Sequence, residues 1–206
     1  MVADSELLVD GPQDASTTLA LAHGAGAGMD TPFMNAFATA LAGRGFRVVR
    51  FEFPYMVSFR KTGARKPPDR EPVLRATWLE VVETVGRKGL IIGGKSMGGR
   101  IASLVADEAG VAGLVCLGYP FHPVGVPERL RVKHLASIVS PTLICQGTRD
   151  PLGSRQEVSS YPLSSSIQIH WLEDGDHDFK PRKASGRTQQ QNWEEAIATV
   201  ASFLNR

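Results

Sequence analysis

Cysteine is almost absent from this chain, with two in 206 residues, too few for a disulfide framework or a cysteine-built metal cluster. Both sit inside apolar runs, Cys116 in Leu114-Val115-Cys116-Leu117 and Cys145 in Leu143-Ile144-Cys145, where a thiol behaves as a small hydrophobe and reads as packing. An excess of one charge is missing too. Lys and Arg number 23 against 21 Asp and Glu, a formal net charge of +2, so the basic face that phosphate-backbone binding demands is not indicated and nucleic acid is not expected as a partner. No window approaches the ~18 uninterrupted apolar residues of a membrane span. The opening Met-Val-Ala-Asp-Ser-Glu lacks the basic start and apolar stretch of an export signal. These absences point to a cytoplasmic protein with no membrane partner. No internal repeat, low-complexity tract or linker divides the chain, and its length suits a single domain over 1–206 with a sizeable core.

What is present alternates between two periods. Short apolar runs at residues 17–22, 46–53, 90–92, 113–117, 142–146 and 167–172 read as strands. Between them, helical spacing appears at 32–41, opened by Thr31 as cap and Pro32 at the first position, and at 73–85. It returns after residue 96, where Ile101, Leu104, Val105 and Glu108 make a stripe with a polar flank, and at 189–204, where Trp193, Ile197, Val200 and Leu204 share a face. Strand and helix in alternation predict an α/β fold with a mostly parallel, doubly wound sheet covered on both faces. Residues 54–72, with Pro67-Pro68 and five basic side chains, read as a surface loop.

One motif stands where its chemistry requires. Gly94-Lys95-Ser96-Met97-Gly98 matches G-x-S-x-G directly after a buried strand and before a helix, the setting of a nucleophile elbow. The serine of such a turn is strained, and near side-chain-free neighbours let backbone pack against it, so Gly94 and Gly98 suit the role. The helix after Ser96 aims amide dipoles at the site, making Met97 N–H a donor for a developing oxyanion. A literal phosphate-loop match also begins at Gly89 and ends in Gly94-Lys95-Ser96. Its intervening residues, Leu90-Ile91-Ile92, are the strand itself rather than a cradle after one, which argues against nucleotide binding. Gly24-Ala25-Gly26-Ala27-Gly28, with Glu52 ending the next strand, hints at a dinucleotide fingerprint but has Met29 where the third glycine belongs. As a small-residue loop after the first core strand it fits better as the second half of an oxyanion hole, with Ala25 as donor; a merely flexible turn is the competing reading.

An activated serine needs a base, and in this strand–turn–helix context the acid and histidine follow it along the chain. Of His122, His134, His170 and His177, the last lies in a polar loop, Asp174-Gly175-Asp176-His177-Asp178-Phe179, just after a strand. It is the expected base. Asp150 follows the strand at 142–146 and precedes Pro151, so its carboxylate should stand at the sheet's carboxyl edge, whereas Asp174, Asp176 and Asp178 read as solvating turn residues.

Taken together, His23-Gly24, Gly94-Lys95-Ser96-Met97-Gly98-Gly99, Gly147-Thr148-Arg149-Asp150 and Asp176-His177-x-Phe179 resemble a small dienelactone-hydrolase-like branch of the α/β hydrolases, over almost the whole chain. The branch is also similar to the hydrolase-like subunit of a eukaryotic histone-acetyltransferase complex, which implies that members can serve as scaffolds. Lys95 departs from the Tyr, Phe, His or Cys more usual before the serine. The expected reaction is acyl transfer from a small-molecule ester or thioester to water, with Ser96 as nucleophile, His177 as base and Asp150 as orienting acid. It needs no cofactor and no metal. Only residues 118–141 join two strands beyond the elbow, too few for a large lid, so the pocket should be shallow. Arg60, Lys61, Arg65, Lys66 and Arg70 either attract an anion or are simply solvated.

Overall fold

The computed structural model describes residues 7–206; the acidic opening hexapeptide lies outside them. Seven strands form one sheet in the order β1-β3-β2-β4-β5-β6-β7: β1 (Leu8–Asp10), β2 (Thr18–Ala22), β3 (Arg47–Phe51), β4 (Leu90–Lys95), β5 (Gly113–Leu117), β6 (Thr142–Gly147) and β7 (Ile167–Leu172). All neighbouring pairs are parallel except β1 with β3. The central strands are apolar nearly throughout because each is covered twice. Along β2, Ala20 and Ala22 face one cluster while Leu19 and Leu21 face the other, the alternation dictated by the pleat.

Helices α1 (Pro32–Ala42) and α6 (Gln189–Leu204) pack together over one face; α3 (Glu71–Val85) and α4 (Met97–Ala109) cover the opposite one. The starts are chemically determined. Thr31 Oγ1 accepts from the Met34 amide at 3.3 Å with Pro32 at the first helical position, and Thr188 closes a reciprocal capping box with Gln191 at the head of α6. Trp78 of α3 is fully buried, meets Phe51 edge-on at 4.7 Å between centroids, and donates Nε1 to Gly98 O at 3.3 Å. Burying a large side chain of this kind is worth ~1.5–3 kcal/mol, and here that energy holds the first turn of α4 against the sheet. Cys116 and Cys145 are buried and unpaired, with burial pushing both thiols above their ordinary range.

Three features depart from the sequence expectation. Residues 54–72 are not all loop, because Pro54–Thr62 forms helix α2 with Tyr55 and Met56 buried. Pro54 occupies the first helical position, where its missing N–H costs nothing. Arg60 and Lys61 fall in the last turn, where the helix dipole favours cations, and Gly63 ends the helix at φ 70°. Strand β1 was not foreseen, being only three residues, too few to display alternation; it is tied to β3 by Arg50 Nη2 donating to Asp10 Oδ2 at 2.8 Å. The one-turn helix α5 (Arg155–Val158) also escaped notice, although its Ser154–Glu157 capping box is a readable signal. The 118–141 connection adds no lid; Tyr119, Phe121, Val132, Leu135 and Ile138 turn inward to the core.

Candidate active site

The sheet order reverses between β2 and β4, the position at which open α/β sheets leave a crevice at the strands' carboxyl ends. The loop after β2 and the turn after β4 flank that crevice. Ser96 sits between β4 and α4 at φ 51° and ψ −114°, a conformation that costs a non-glycine residue ~1–3 kcal/mol and persists only where surroundings enforce it. They do so here through close backbone packing. A Cβ on Gly94 would overlap Ala22 O, and one on Gly98 would stand 2.5 Å from Ala22 O and 2.7 Å from His23 O. The Ser96 amide donates to Leu117 O at 3.0 Å, fixing the turn to β5.

The structure brings the three sequence-derived residues into one hydrogen-bonded chain. His177 Nε2 lies 2.9 Å from Ser96 Oγ, and His177 Nδ1 lies 2.8 Å from Asp150 Oδ2. Asp150 is fully buried, and its remaining acceptor sites are used: Oδ2 also accepts from Gln146 Nε2 at 2.9 Å, and Oδ1 from the Leu152 amide at 2.8 Å. A buried carboxylate with three donors is satisfied as an anion. Gln146 Nε2 further donates to Tyr119 O and Gly153 O, each at 3.1 Å, while its Oε1 accepts from the Tyr119 amide at 2.7 Å. Gln146 therefore helps fix the Asp150 carboxylate. The sequence placed Gln146 only at the end of a strand; its position four residues before the expected acid was the available signal.

The other histidines are engaged elsewhere. His170 Nε2 pairs with Glu195 of α6 at 2.9 Å, as a sheet-face residue should. His134 Nε2 is 2.8 Å from Ser103 Oγ, and buried His122 holds Pro123 O at 2.9 Å through Nδ1.

Facing Ser96 is the glycine-rich loop, whose Gly24 would put a Cβ 3.7 Å from Ser96 Cβ. Ala25 lines the cleft beside Ser96. Its carbonyl accepts from Tyr55 OH at 2.9 Å, and neither its amide nor that of Met97 has an acceptor among the described residues. The Met97 side chain is buried in the core; only its amide, one peptide from Ser96, faces this question. The loop is braced from below. His23, fully buried and kept toward its neutral form by desolvation, receives the Phe53 amide on Nε2 at 3.1 Å and holds Gly24 O through Nδ1 at 2.7 Å. Glu52 accepts from the Met29 amide at 3.1 Å and from Arg60 Nε at 2.6 Å. Glu52 thus ties the loop to α2, which accounts for it without a nucleotide.

One expectation about charged residues needs correcting. Asp174 is not a solvating turn residue. It is buried at φ 54°, and Arg182 grips its carboxylate while Arg149 Nε lies 2.9 Å away; the Arg182 hydrogen bond, first among several, holds its carboxyl down to about 2. Arginines on both sides of the histidine loop make burying that acid favourable. Asp176 caps the same loop, its Oδ1 accepting from the Asp178 and Lys180 amides at 2.9 Å each. Lys95, the departure noted before the serine, is engaged as well. Its ammonium is nearly buried, donates to His177 O at 2.7 Å, lies 3.2 Å from Asp178 Oδ1 and sits 5.5 Å over the Phe33 ring. Burial lowers its pKa, and Asp178, Asp150 and Asp176 oppose that shift. The elbow and the histidine loop are thereby joined by one side chain.

The cleft above these groups holds about 480 Å³ and is walled by the 24–28 loop, Phe33, Met34, Gln189 and Trp193. Among the described residues no cluster of three or more His, Cys, Asp or Glu could hold a metal ion. No helix among them is long and apolar enough to cross a membrane.

The model of the family described as "Alpha/beta hydrolase domain" matches residues 15–205. A solved alpha-beta serine hydrolase homologue from Coxiella burnetii superposes with a TM-score of 0.68 at 20% identity, covering 97% of this chain and 89% of that one. An a/b serine hydrolase without lid from Xanthomonas campestris gives 0.68 at 18% identity, over 98% and 90%. A dienelactone hydrolase from Anabaena variabilis gives 0.65 at 20% identity, over 97% and 88%. At these identities the solved structures speak for the fold. The family match spans nearly the entire chain, and with the parallel sheet and the strained turn after β4 it shows that this protein belongs to the alpha/beta hydrolase domain family.

Proposed function

We propose that the protein is a serine hydrolase that cleaves a small ester or thioester through an acyl-enzyme on Ser96. The observation that carries this reading is the continuous chain from Ser96 Oγ through His177 to buried Asp150, opening into the 480 Å³ cleft. In the first half-reaction Ser96 Oγ attacks the acyl carbon while His177 Nε2 takes its proton. The carbon–oxygen or carbon–sulfur bond then breaks, and the leaving alcohol or thiol departs with that proton. In the second, water attacks the acyl carbon, giving its proton to His177, and the proton returns to Ser96 as the acid is released. Asp150 holds the Nδ1–H tautomer and stabilises the imidazolium. The Met97 and Ala25 amides are the donors assigned to the oxyanion, a contribution of the order of 10²–10³ in kcat per donor.

The fold alone leaves room for a binding scaffold with no turnover, as the resemblance to a histone-acetyltransferase subunit suggests. A panel of aryl esters and thioesters separates the two. The hydrolase reading expects turnover, with kcat/KM falling as the acyl chain lengthens, because the 480 Å³ cleft has no lid to cover a long chain. Absence of turnover across the panel favours the scaffold, and a steady rise through long fatty chains contradicts the small-substrate assignment.

A further inference from the structure

A second cavity of about 90 Å³ adjoins the main cleft. Ala25 and Gly26 line both, and the remaining walls are Tyr55, Met56 and Phe59 of α2 with Arg65 and Lys66 just beyond it. Tyr55 OH bonds to Ala25 O at 2.9 Å, so α2 is fixed to the loop that separates the two spaces. Ala25 and Gly26 thus stand between the cleft at Ser96 and the cavity beside the basic segment.

That segment divides sharply by pairing. Arg60 is consumed internally, with Nε 2.6 Å from Glu52 Oε2 and Nη2 2.6 Å from Asp30 Oδ1. Asp69, the acid within the segment, is occupied by the Tyr55 amide at 2.8 Å. Among the described residues no carboxylate pairs with Lys61, Arg65, Lys66 or Arg70. Of these, exposed Arg65 has its guanidinium 5.4 Å from the Phe59 ring centroid, a cation–π contact that leaves its charge unneutralised. An arginine and a lysine without carboxylate partners, lining one cavity with Tyr55, Met56 and Phe59, make a positive potential at its mouth. A guanidinium so placed binds carboxylate or phosphate bidentately.

We infer that this annex receives an anionic group, a carboxylate or a phosphate, carried by the substrate at a distance from its scissile carbonyl. The inference rests on the serine-hydrolase reading and assigns that site its substrate class, an anionic ester or thioester. Arg65 and Lys66 act as specificity residues and touch no reacting atom.

The test compares matched pairs: a p-nitrophenyl ester with an uncharged acyl chain against one ending in a carboxylate, and an acetyl thioester of a neutral thiol against the same thiol bearing a terminal phosphate. Each is assayed with wild type and with the Arg65→Ala/Lys66→Ala double variant, in low and high salt. Wild type is expected to prefer the anionic member of at least one pair by about tenfold in kcat/KM, and the pair that shows it identifies carboxylate or phosphate as the group bound. The preference should shrink in high salt, and the anionic-to-neutral ratio should fall to near one in the double variant. Turnover of the neutral substrates with no anionic preference, or with a preference that survives the double substitution, overturns the inference while leaving the hydrolase reading intact. No turnover of any substrate overturns both.

Discussion

Replacing Asp150 by Asn exchanges one carboxylate oxygen for an NH₂ group and sets up a conflict whose size follows from the contacts. The wild-type carboxylate faces three donors: His177 Nδ1 and Gln146 Nε2 on Oδ2, and the Leu152 amide on Oδ1. An amide offers one oxygen and one NH₂ group in their place. If the oxygen turns to Leu152, the NH₂ group confronts the Gln146 amide and the imidazole; His177 must then accept at Nδ1 and carry its proton on Nε2, facing Ser96 Oγ, where it cannot act as base. If the oxygen turns to His177, NH₂ points at the Leu152 N–H in a fully buried site, an unsatisfied pairing costing ~1–3 kcal/mol. Either orientation loses the anion that stabilises imidazolium. The expected fall in kcat is ~10⁴-fold, as in the serine-protease precedent, or about 5.5 kcal/mol at 1.36 kcal/mol per tenfold. The assay is kcat on one activated ester for Asp150→Asn, His177→Ala, their double variant and Asp176→Asn, with folding followed by circular dichroism. The double variant should be scarcely worse than either single one, since members of such a chain act as a unit. Near-normal turnover in Asp150→Asn together with collapse in Asp176→Asn would refute the reasoning.

Lys95→Met should lower kcat by about tenfold to a hundredfold, because the clamp on His177 O is lost and small displacements of reacting groups are costly. Its urea midpoint should stay near wild type, since removing a buried ammonium also removes its desolvation cost; a kcat within twofold of wild type would contradict the clamp. Asp174, gripped by Arg182, has a folded-state pKa of about 2, below its ordinary carboxylate value. Its stabilisation is therefore complete above that ordinary value and is lost as pH falls toward about 2. Asp174→Asn should be less stable than wild type at neutral pH and show a shallower loss between about pH 4 and pH 2 in thermal melts; parallel acid profiles would argue against the pairing.

Much of this molecule could be read from its residues, and the limits of that reading are physical. The core strands and α6 were legible because burial on both sheet faces writes continuous apolar runs, and because Trp193, Ile197, Val200 and Leu204 repeat at helical spacing. The elbow was legible because strain and close packing restrict which residues can surround Ser96. Helix α2 was hidden by composition. Arg60 and Lys61 make residues 54–62 look solvated, yet Pro54 starts a helix well and only Tyr55 and Met56 need burying. The support beneath the site was hidden by distance along the chain. Lys95 meets His177 O across 82 positions, and Glu52 meets Met29 across 23; no local pattern encodes either contact. Asp174 was misjudged for the same reason, since the arginines that make its burial favourable lie in other turns. Ala25, by contrast, stands on the cleft wall where a small-residue loop after β2 was expected to stand.

Everything proposed for this site requires that Ser96 be an activated nucleophile. Exposure of the folded protein to a fluorophosphonate probe, followed by mass spectrometry of its peptides, tests that requirement without knowledge of the substrate. One added phosphonyl group is expected, on Ser96 and on no other serine, with labelling abolished in His177→Ala. Intact, folded protein left unlabelled after prolonged exposure, or labelled at another serine, would contradict it.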